Sequence, residues 1–358
     1  MWPDRRLLDL FNIALPIVQA PMAGAIDTEL AVAVAKAGGL GSLPCAMLTP
    51  DKAREQVNIV RQQVSAPVNM NFFAHTPVAP EPARMAAWRE RLAPYYEELG
   101  LDPNMPVTMA SRAPFDAAMC EVVEEVRPEV VSFHFGLPEP ALLARVKAAG
   151  SVVIASATTV EEACWLAARG AEAIIAQGAE AGGHRSMFLT DDIATQSGTF
   201  ALVPQMVDAV ELPVIAAGGI ADGRGIAAAF ALGAAGVQIG TAYLRTPESK
   251  VSAVIRARLA AAGEGATAIT NVMTGRAARG VVNRAMAEIG PVTAAHPGFP
   301  HAAAAFGPLK TAAEKLGRAD FTNVWAGQAV ALGREVPAED LTRALAEEAR
   351  ARLAALAG

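Results

Sequence analysis

Residues 213–240 read "PVIAAGGIADGRGIAAAFALGAAGVQIG", and the succession of textures in this stretch decides the fold. An apolar run (213–217) stops at a glycine pair, an alanine-rich helical pattern follows (222–232), and a second apolar run closes the unit (236–240). Strand, helix and strand in that order suggest neighbouring parallel strands. The cadence recurs upstream. Further apolar runs lie at 15–20 "LPIVQA", 39–43 "GLGSL", 67–72 "PVNMNF", 130–135 "VVSFHF", 151–156 "SVVIAS" and 172–177 "EAIIAQ". Helical patterns intervene, among them 27–37 and 159–168. Eight such strands with helices between them predict an α/β fold, a closed (β/α)8 TIM-type barrel over residues 1–246. Two segments depart from the cadence. Residues 75–110 form a proline-punctuated excursion with a helix near 82–99. Residues 247–335 read as a helical cap over one barrel mouth, ending in turn-rich sequence such as "AAHPGFPHAAAAFGP". Residues 336–358 carry a last helix, expected to pack on the barrel wall.

Composition narrows the function. The chain has 358 residues, 53% hydrophobic, and a net charge of −6, with no basic run longer than two residues. That argues against a nucleic-acid partner and against a polybasic membrane patch. No run approaches the roughly 18 apolar residues of a membrane span, and the N-terminus lacks the apolar core of a signal peptide. Three scattered cysteines without a CxxC pair exclude a disulfide framework and a cysteine metal site, and suit a reducing cytoplasm. The five histidines show no ligand spacing, so no metal is expected. A cytoplasmic monomer or homodimer is the expectation.

Polar residues interrupt the strands at their C-terminal ends, where barrel enzymes build their sites. In "VVSFHF", Val131, Phe133 and Phe135 share one face, suited to the helix layer, and Val130, Ser132 and His134 share the other. His134 therefore points inward, just before Gly136 and Pro138 end the strand. Asn69 and Asn71 end the third strand, Gln177 the sixth, and Gln238 precedes Gly240 and Thr241 on the eighth. Together these tips describe a lined mouth. After the seventh and eighth strands, Gly218, Gly219, Gly240 and Thr241 offer backbone donors to an anion, a common phosphate position in barrels. Arg224 is a candidate for added charge. The loop "GAEAGGHRS" (178–186) carries Gly182 and Gly183, which permit close passage over a planar ligand.

These stretches resemble the nitronate monooxygenases, flavin enzymes of the (β/α)8 class. The resemblance rests on "PIVQAPMAGAIDTELAVAVAKAGGLGSLP" (16–44), "NMNFF" (69–73), "VSFHFGLP" (131–138), "IAQGAEAGGHRS" (175–186), "VIAAGGIADGRGIAAAFALGAAGVQIGTAYL" (214–244), "TGRAARGVVNR" (274–284) and "VWAGQ" (324–328). It implies bound FMN, O2 as oxidant, and conversion of alkyl nitronates to carbonyl compounds and nitrite, a detoxifying role. By resemblance the flavin contacts fall on Met22, Ala23, Asn71, Gln177, Gly182, Gly219, Gln238, Ile239, Gly240 and Thr241; Gly183 and Gly218 from the glycine reading and His184 on the same loop complete the expected cofactor site. The active-site histidine falls on His134. Its imidazole, with an unperturbed pKa of about 6.5, would either hold the anion when protonated or remove an α-proton when neutral. In related flavin reductases acting on quinones or enoyl thioesters the important histidine falls on His184, and such an NAD(P)H-dependent reductase is the alternative. Two departures stand out. The family's usual glycine after "AGGHR" is Ser186 here, and the pocket tyrosines are replaced by residues such as His296 and Phe299.

Overall fold

The computed structural model describes residues 2–107 and 112–358. All eight apolar runs form strands: β1 (Ile17–Gln19), β2 (Gly41–Pro44), β3 (Val68–Phe73), β4 (Val130–His134), β5 (Val152–Ala157), β6 (Ala173–Gln177), β7 (Val214–Ala217) and β8 (Gly236–Ile239). They pair in parallel, in the order β1-β8-β7-β6-β5-β4-β3-β2. A parallel bridge between Val18 and Leu40 closes the ring.

Side-chain alternation sorts each strand into two layers. Val131 and Phe133 of β4 pack outward with helix residues such as Leu143 and Val146. Val130 packs inward with Val18, Ile154 and Ile215, and Leu7 and Phe11 of the helix Arg6–Phe11 join that inner cluster. Each fully buried side chain of this kind contributes roughly 1.5–3 kcal/mol. The inner apolar cluster leaves the opposite, C-terminal rim for polar side chains. Helix Gly223–Ala231 starts on Asp222, whose carboxylate accepts the Arg224 and Gly225 N–H groups. The last helix, Ala338–Leu356, packs on the barrel wall, where the Thr342 hydroxyl meets the buried Tyr243 hydroxyl at 2.8 Å.

Three features differ from the sequence reading. First, residues 247–335 are not helical alone. Thr267–Thr270 and Ala278–Val281 form an antiparallel pair, and Gly183–His184, from the glycine loop after β6, adds a third strand to Ala278–Val281. Strands of two to four residues show no alternation of their own; they form because the loop and the cap meet. Second, helix Pro82–Glu98 shares its core with the late segment: Trp88, Leu92 and Tyr96 pack with Met286, Phe306 and Leu309. Third, Phe135 leaves the outward face. Its φ of +72° is left-handed, and its ring turns toward Phe73 and Phe299. Among the described residues, no helix is long and apolar enough to cross a membrane.

Candidate active site

The tip of β4 places His134 at the rim, half-buried. Its Nε2 lies 3.2 Å from the backbone carbonyl of His184. A carbonyl only accepts, so Nε2 carries the proton in the neutral ring and Nδ1 keeps its lone pair. His184 is fixed similarly. Its Nε2 lies 2.9 Å from the Thr274 hydroxyl, which itself donates to the Arg276 carbonyl at 3.3 Å. Neither Nδ1 atom has a hydrogen-bond partner among the described residues. The two histidines thus form one unit, joined through the His184 carbonyl.

Gln177 holds the same loop. Its amide donates to the His184 carbonyl (3.0 Å) and accepts the Ser186 N–H (2.8 Å). Both ends of the amide expected on the cofactor are therefore engaged by backbone. The fully buried Arg185 guanidinium bonds the carbonyls of Gln177 and Gly178 and the Gln196 amide. Burial pushes its pKa down to about 10. With its side chain turned inward, Arg185 pins the end of β6 to the loop.

Around the histidines stands a wall of aromatic rings and cations. The Phe135 ring lies 4.4 Å from His134, and His184 has Phe299 and Trp325 each at 5.4 Å. The Arg276 guanidinium stacks on Phe135 at 3.9 Å and donates to the Met187 carbonyl. Arg112 lies 5.8 Å from the Phe299 ring. Neither arginine forms an ion pair among the described residues, and each keeps a buried Nε without a partner. A cavity of about 260 Å³ adjoins this wall, lined in part by His75, Met187, Asp191, Arg276, His296 and Phe299. The tyrosines stay away: Tyr96 sits in the cap core and Tyr243 behind β8.

This wall disfavours protonated histidine. Burial, outweighing the His184 carbonyl and aided by the Arg276 and Arg185 charges, pushes His134 down to about 3. Burial with the charges of Arg276 and Arg112 pushes His75 down to about 4. His184 and His296 also fall below the ordinary value of 6.5, again chiefly through burial. The folded chain therefore refuses protons that the unfolded chain binds below about pH 6.5. Stability is fully present above that pH and is lost as pH falls from 6.5 toward 4. Thermal unfolding between pH 8 and pH 5 should show a melting temperature that declines below about pH 6.5, and His75→Gln should flatten the decline.

The remaining expected residues are spread along the rim, from β3, next to the histidine strand, round to β7, β8 and the loop after β1. Gly218 and Gly219 turn out of β7 with φ of +119° and +71°. Gly240 follows β8 beside Met22: a Cβ on Gly240 would meet the Met22 sulfur at 3.6 Å. Ala23 is half-buried in the adjoining loop. Asn71 donates to the Ser132 hydroxyl (3.0 Å) and carbonyl (3.2 Å). Gln238 turns inward, and its buried Oε1 has no partner among the described residues. Asn69 lies one layer below Asn71, bonded to Ser42, with an equally unpartnered Oδ1. Ile239, by contrast, points into the outer core.

Other details correct the expected roles. Gly182 serves packing: a Cβ there would strike the Ala326 and Gly327 backbone at 2.6 Å. The Thr241 hydroxyl accepts the Gly327 N–H at 2.9 Å, so it anchors the "VWAGQ" segment. Arg224 is not free to meet an anion, because its guanidinium is paired with Asp222 at 2.5 Å. Arg112, Arg276, Thr274 and Phe135 escaped the sequence reading as site residues. Thr274 and Arg276 carried a signal in "TGRAARG" and Phe135 in "VSFHFGLP"; Arg112 carried none.

The residues fit FMN in donor and acceptor type. Left-handed glycines after β7 leave N–H groups at the rim for a phosphate, and the unpartnered Gln238 Oε1 is a buried acceptor suited to a ring N–H. Among the described residues, no group of three or more His, Cys, Asp or Glu converges.

Comparison with known proteins agrees in one direction. A family model described as nitronate monooxygenase matches residues 4–348. The nitronate monooxygenase of Pseudomonas aeruginosa is 43% identical over 351 residues, covering 96% of this chain and 99% of that protein. That of Paraburkholderia phytofirmans is 41% identical over 346 residues, covering 96% of this chain and 94% of its own. The crystal structure of nitroalkane oxidase from Streptomyces ansochromogenes matches with a TM-score of 0.89 at 37% identity, covering 98% of this chain and 99% of that one.

Proposed function

The chain belongs to the nitronate monooxygenase family, and from that premise we propose that it oxidises alkyl nitronates with FMN and O2, releasing a carbonyl compound and nitrite. The observation that carries the reading is the histidine unit at the mouth: two imidazoles with open Nδ1 atoms beside two unpaired guanidiniums.

Bound FMN would supply electron acceptance from substrate and reaction with O2. Gly218, Gly219, Gly240 and the Thr241 backbone would hold its phosphate. Gln238, Asn71, Met22 and Ala23 would hold the remainder, with Gly183 and His184 on the facing loop. Arg276 and Arg112 attract the nitronate anion into a site where Phe73, Phe135 and Phe299 exclude water. His134 is the proposed catalytic residue and His184 its partner. Burial keeps both neutral near pH 7, as a base toward a nitroalkane α-carbon requires. An arriving anion opposes the effect of burial and draws a proton onto the pair. The role that fits is removal of reactive nitro compounds in the cytoplasm, supported by three free cysteines.

The test is an assay of oxygen consumption and nitrite release with ethyl nitronate, run beside NADH and NADPH oxidation. Nitrite release with oxygen uptake is the expected result; oxidation of NADH or NADPH without nitrite would replace the reading with a reductase. Arg276→Met is expected to raise the nitronate KM roughly tenfold with little change in kcat, because a charge-assisted contact is lost.

A further inference from the structure

Ser186, where the family resemblance has a glycine, is fully buried in the wall of the mouth. Its backbone does not call for glycine: among the described non-glycine residues, only Asn12, Arg127 and Phe135 have positive φ. Its side chain is employed instead. The hydroxyl donates to the Ser156 carbonyl at 3.0 Å and accepts the Phe135 N–H at 3.2 Å. Its own N–H donates to Gln177 at 2.8 Å. Ser186 thus ties together the ends of β4, β5 and β6.

The Phe135 end matters most. Phe135 is a bulky residue in left-handed backbone (φ +72°), a conformation that persists only when its surroundings hold it. This twist removes the ring from the helix-facing side and sets it against His134 (4.4 Å) and beneath Arg276 (3.9 Å). Among the described residues, the Phe135 N–H has the Ser186 hydroxyl as its only hydrogen-bond partner. Were the hydroxyl absent, that buried N–H would lose its partner and the twisted peptide its restraint.

We propose that Ser186 is a positioning residue, a hydroxyl latch that holds Phe135 in its left-handed turn and thereby sets the Phe135–Arg276 stack against which the substrate anion is bound. The role in substrate binding rests on the nitronate reading; the latch itself does not. It explains how a chain lacking the family glycine at this position shapes its pocket, and it assigns Ser186 to specificity rather than to chemistry.

The test compares wild type with Ser186→Ala, Phe135→Ala and the double variant, as FMN-loaded protein with ethyl nitronate. Ser186→Ala is expected to raise KM roughly fivefold with kcat held within about twofold, because, of the two buried hydrogen bonds the hydroxyl makes, only the one to the Phe135 N–H bears on the pocket. In the Phe135→Ala background the same substitution should do nothing more to KM, since the two act as a unit. Hydrogen–deuterium exchange supplies a readout that needs no activity: Ser186→Ala should deprotect the Phe135 amide while flavin content and melting temperature stay near wild type. An unchanged Phe135 amide, or effects on KM that multiply independently, would overturn the latch. If wild type turns over no nitronate, the functional reading fails and the exchange result still decides the latch. Should the alanine protein not accumulate, Ser186→Gly removes the same hydroxyl and is held to the same outcomes.

Discussion

His134→Asn is expected to keep its flavin and to lose most nitronate turnover, with neutral nitroalkanes slowed by about 10²- to 10⁴-fold, the usual worth of a positioned acid–base group. Asparagine reaches only the position of Nδ1, so it also gives up the bond that His134 Nε2 makes to the His184 carbonyl at 3.2 Å. It has no group that titrates in place of Nδ1. His134→Gln, whose amide nitrogen reaches the Nε2 position and does not titrate, separates the chemistry of the ring from its mechanical contact. His184→Asn is the necessary companion, because its side chain stands against the same aromatic wall and its ring is equally anchored, at 2.9 Å from Thr274. Flavin spectra of the purified variants and steady-state rates with a nitroalkane and its nitronate give the answer. Wild-type activity in His134→Asn would remove it from the chemistry. If His184→Asn were then inactive, the base would be His184, with His134 only bracing the loop.

Gly218→Ala should weaken retention of FMN sharply while the barrel still folds. At φ +119° an L-residue is strained, and the new Cβ would lie 2.9 Å from the Thr199 hydroxyl and 3.0 Å from the Ala181 nitrogen. Backbone strain of this kind costs about 1–3 kcal/mol, so flavin affinity should fall on the order of tenfold to a hundredfold through rearrangement of the turn after β7. The purified variant should carry little flavin and show wild-type circular dichroism. Full flavin content would remove this turn from the phosphate site.

Why was so much of the barrel legible? Parallel strands covered on both faces read as short, nearly continuous apolar runs, and all eight are found within a residue or two of their expected bounds. The mouth was legible for a related reason. Polar residues at strand ends, such as His134, Asn71 and Gln238, have no business in an apolar run unless something at the rim uses them. The rest depends on contacts between distant segments. Gly183–His184 becomes a strand only because Ala278–Val281 lies beside it. Gln177 was expected to reach the cofactor, but its amide is spent on the loop it precedes. Parity put Phe135 on the outer face, since alternation assumes that the strand continues; it stops at His134 and the backbone turns left-handed. Arg112 lies between the excursion over 75–110 and β4, and no local pattern announces that it will meet Phe299.

The most direct measurement is anaerobic. FMN-loaded enzyme is mixed with ethyl nitronate in the absence of oxygen, and the visible absorbance of the flavin is followed before and after air is admitted. Nitronate oxidation requires that the nitronate bleach the flavin, that air restore it, and that NADH and NADPH leave it oxidised on the same timescale. A flavin that stays oxidised with nitronate but is rapidly bleached by NADH or NADPH would contradict it.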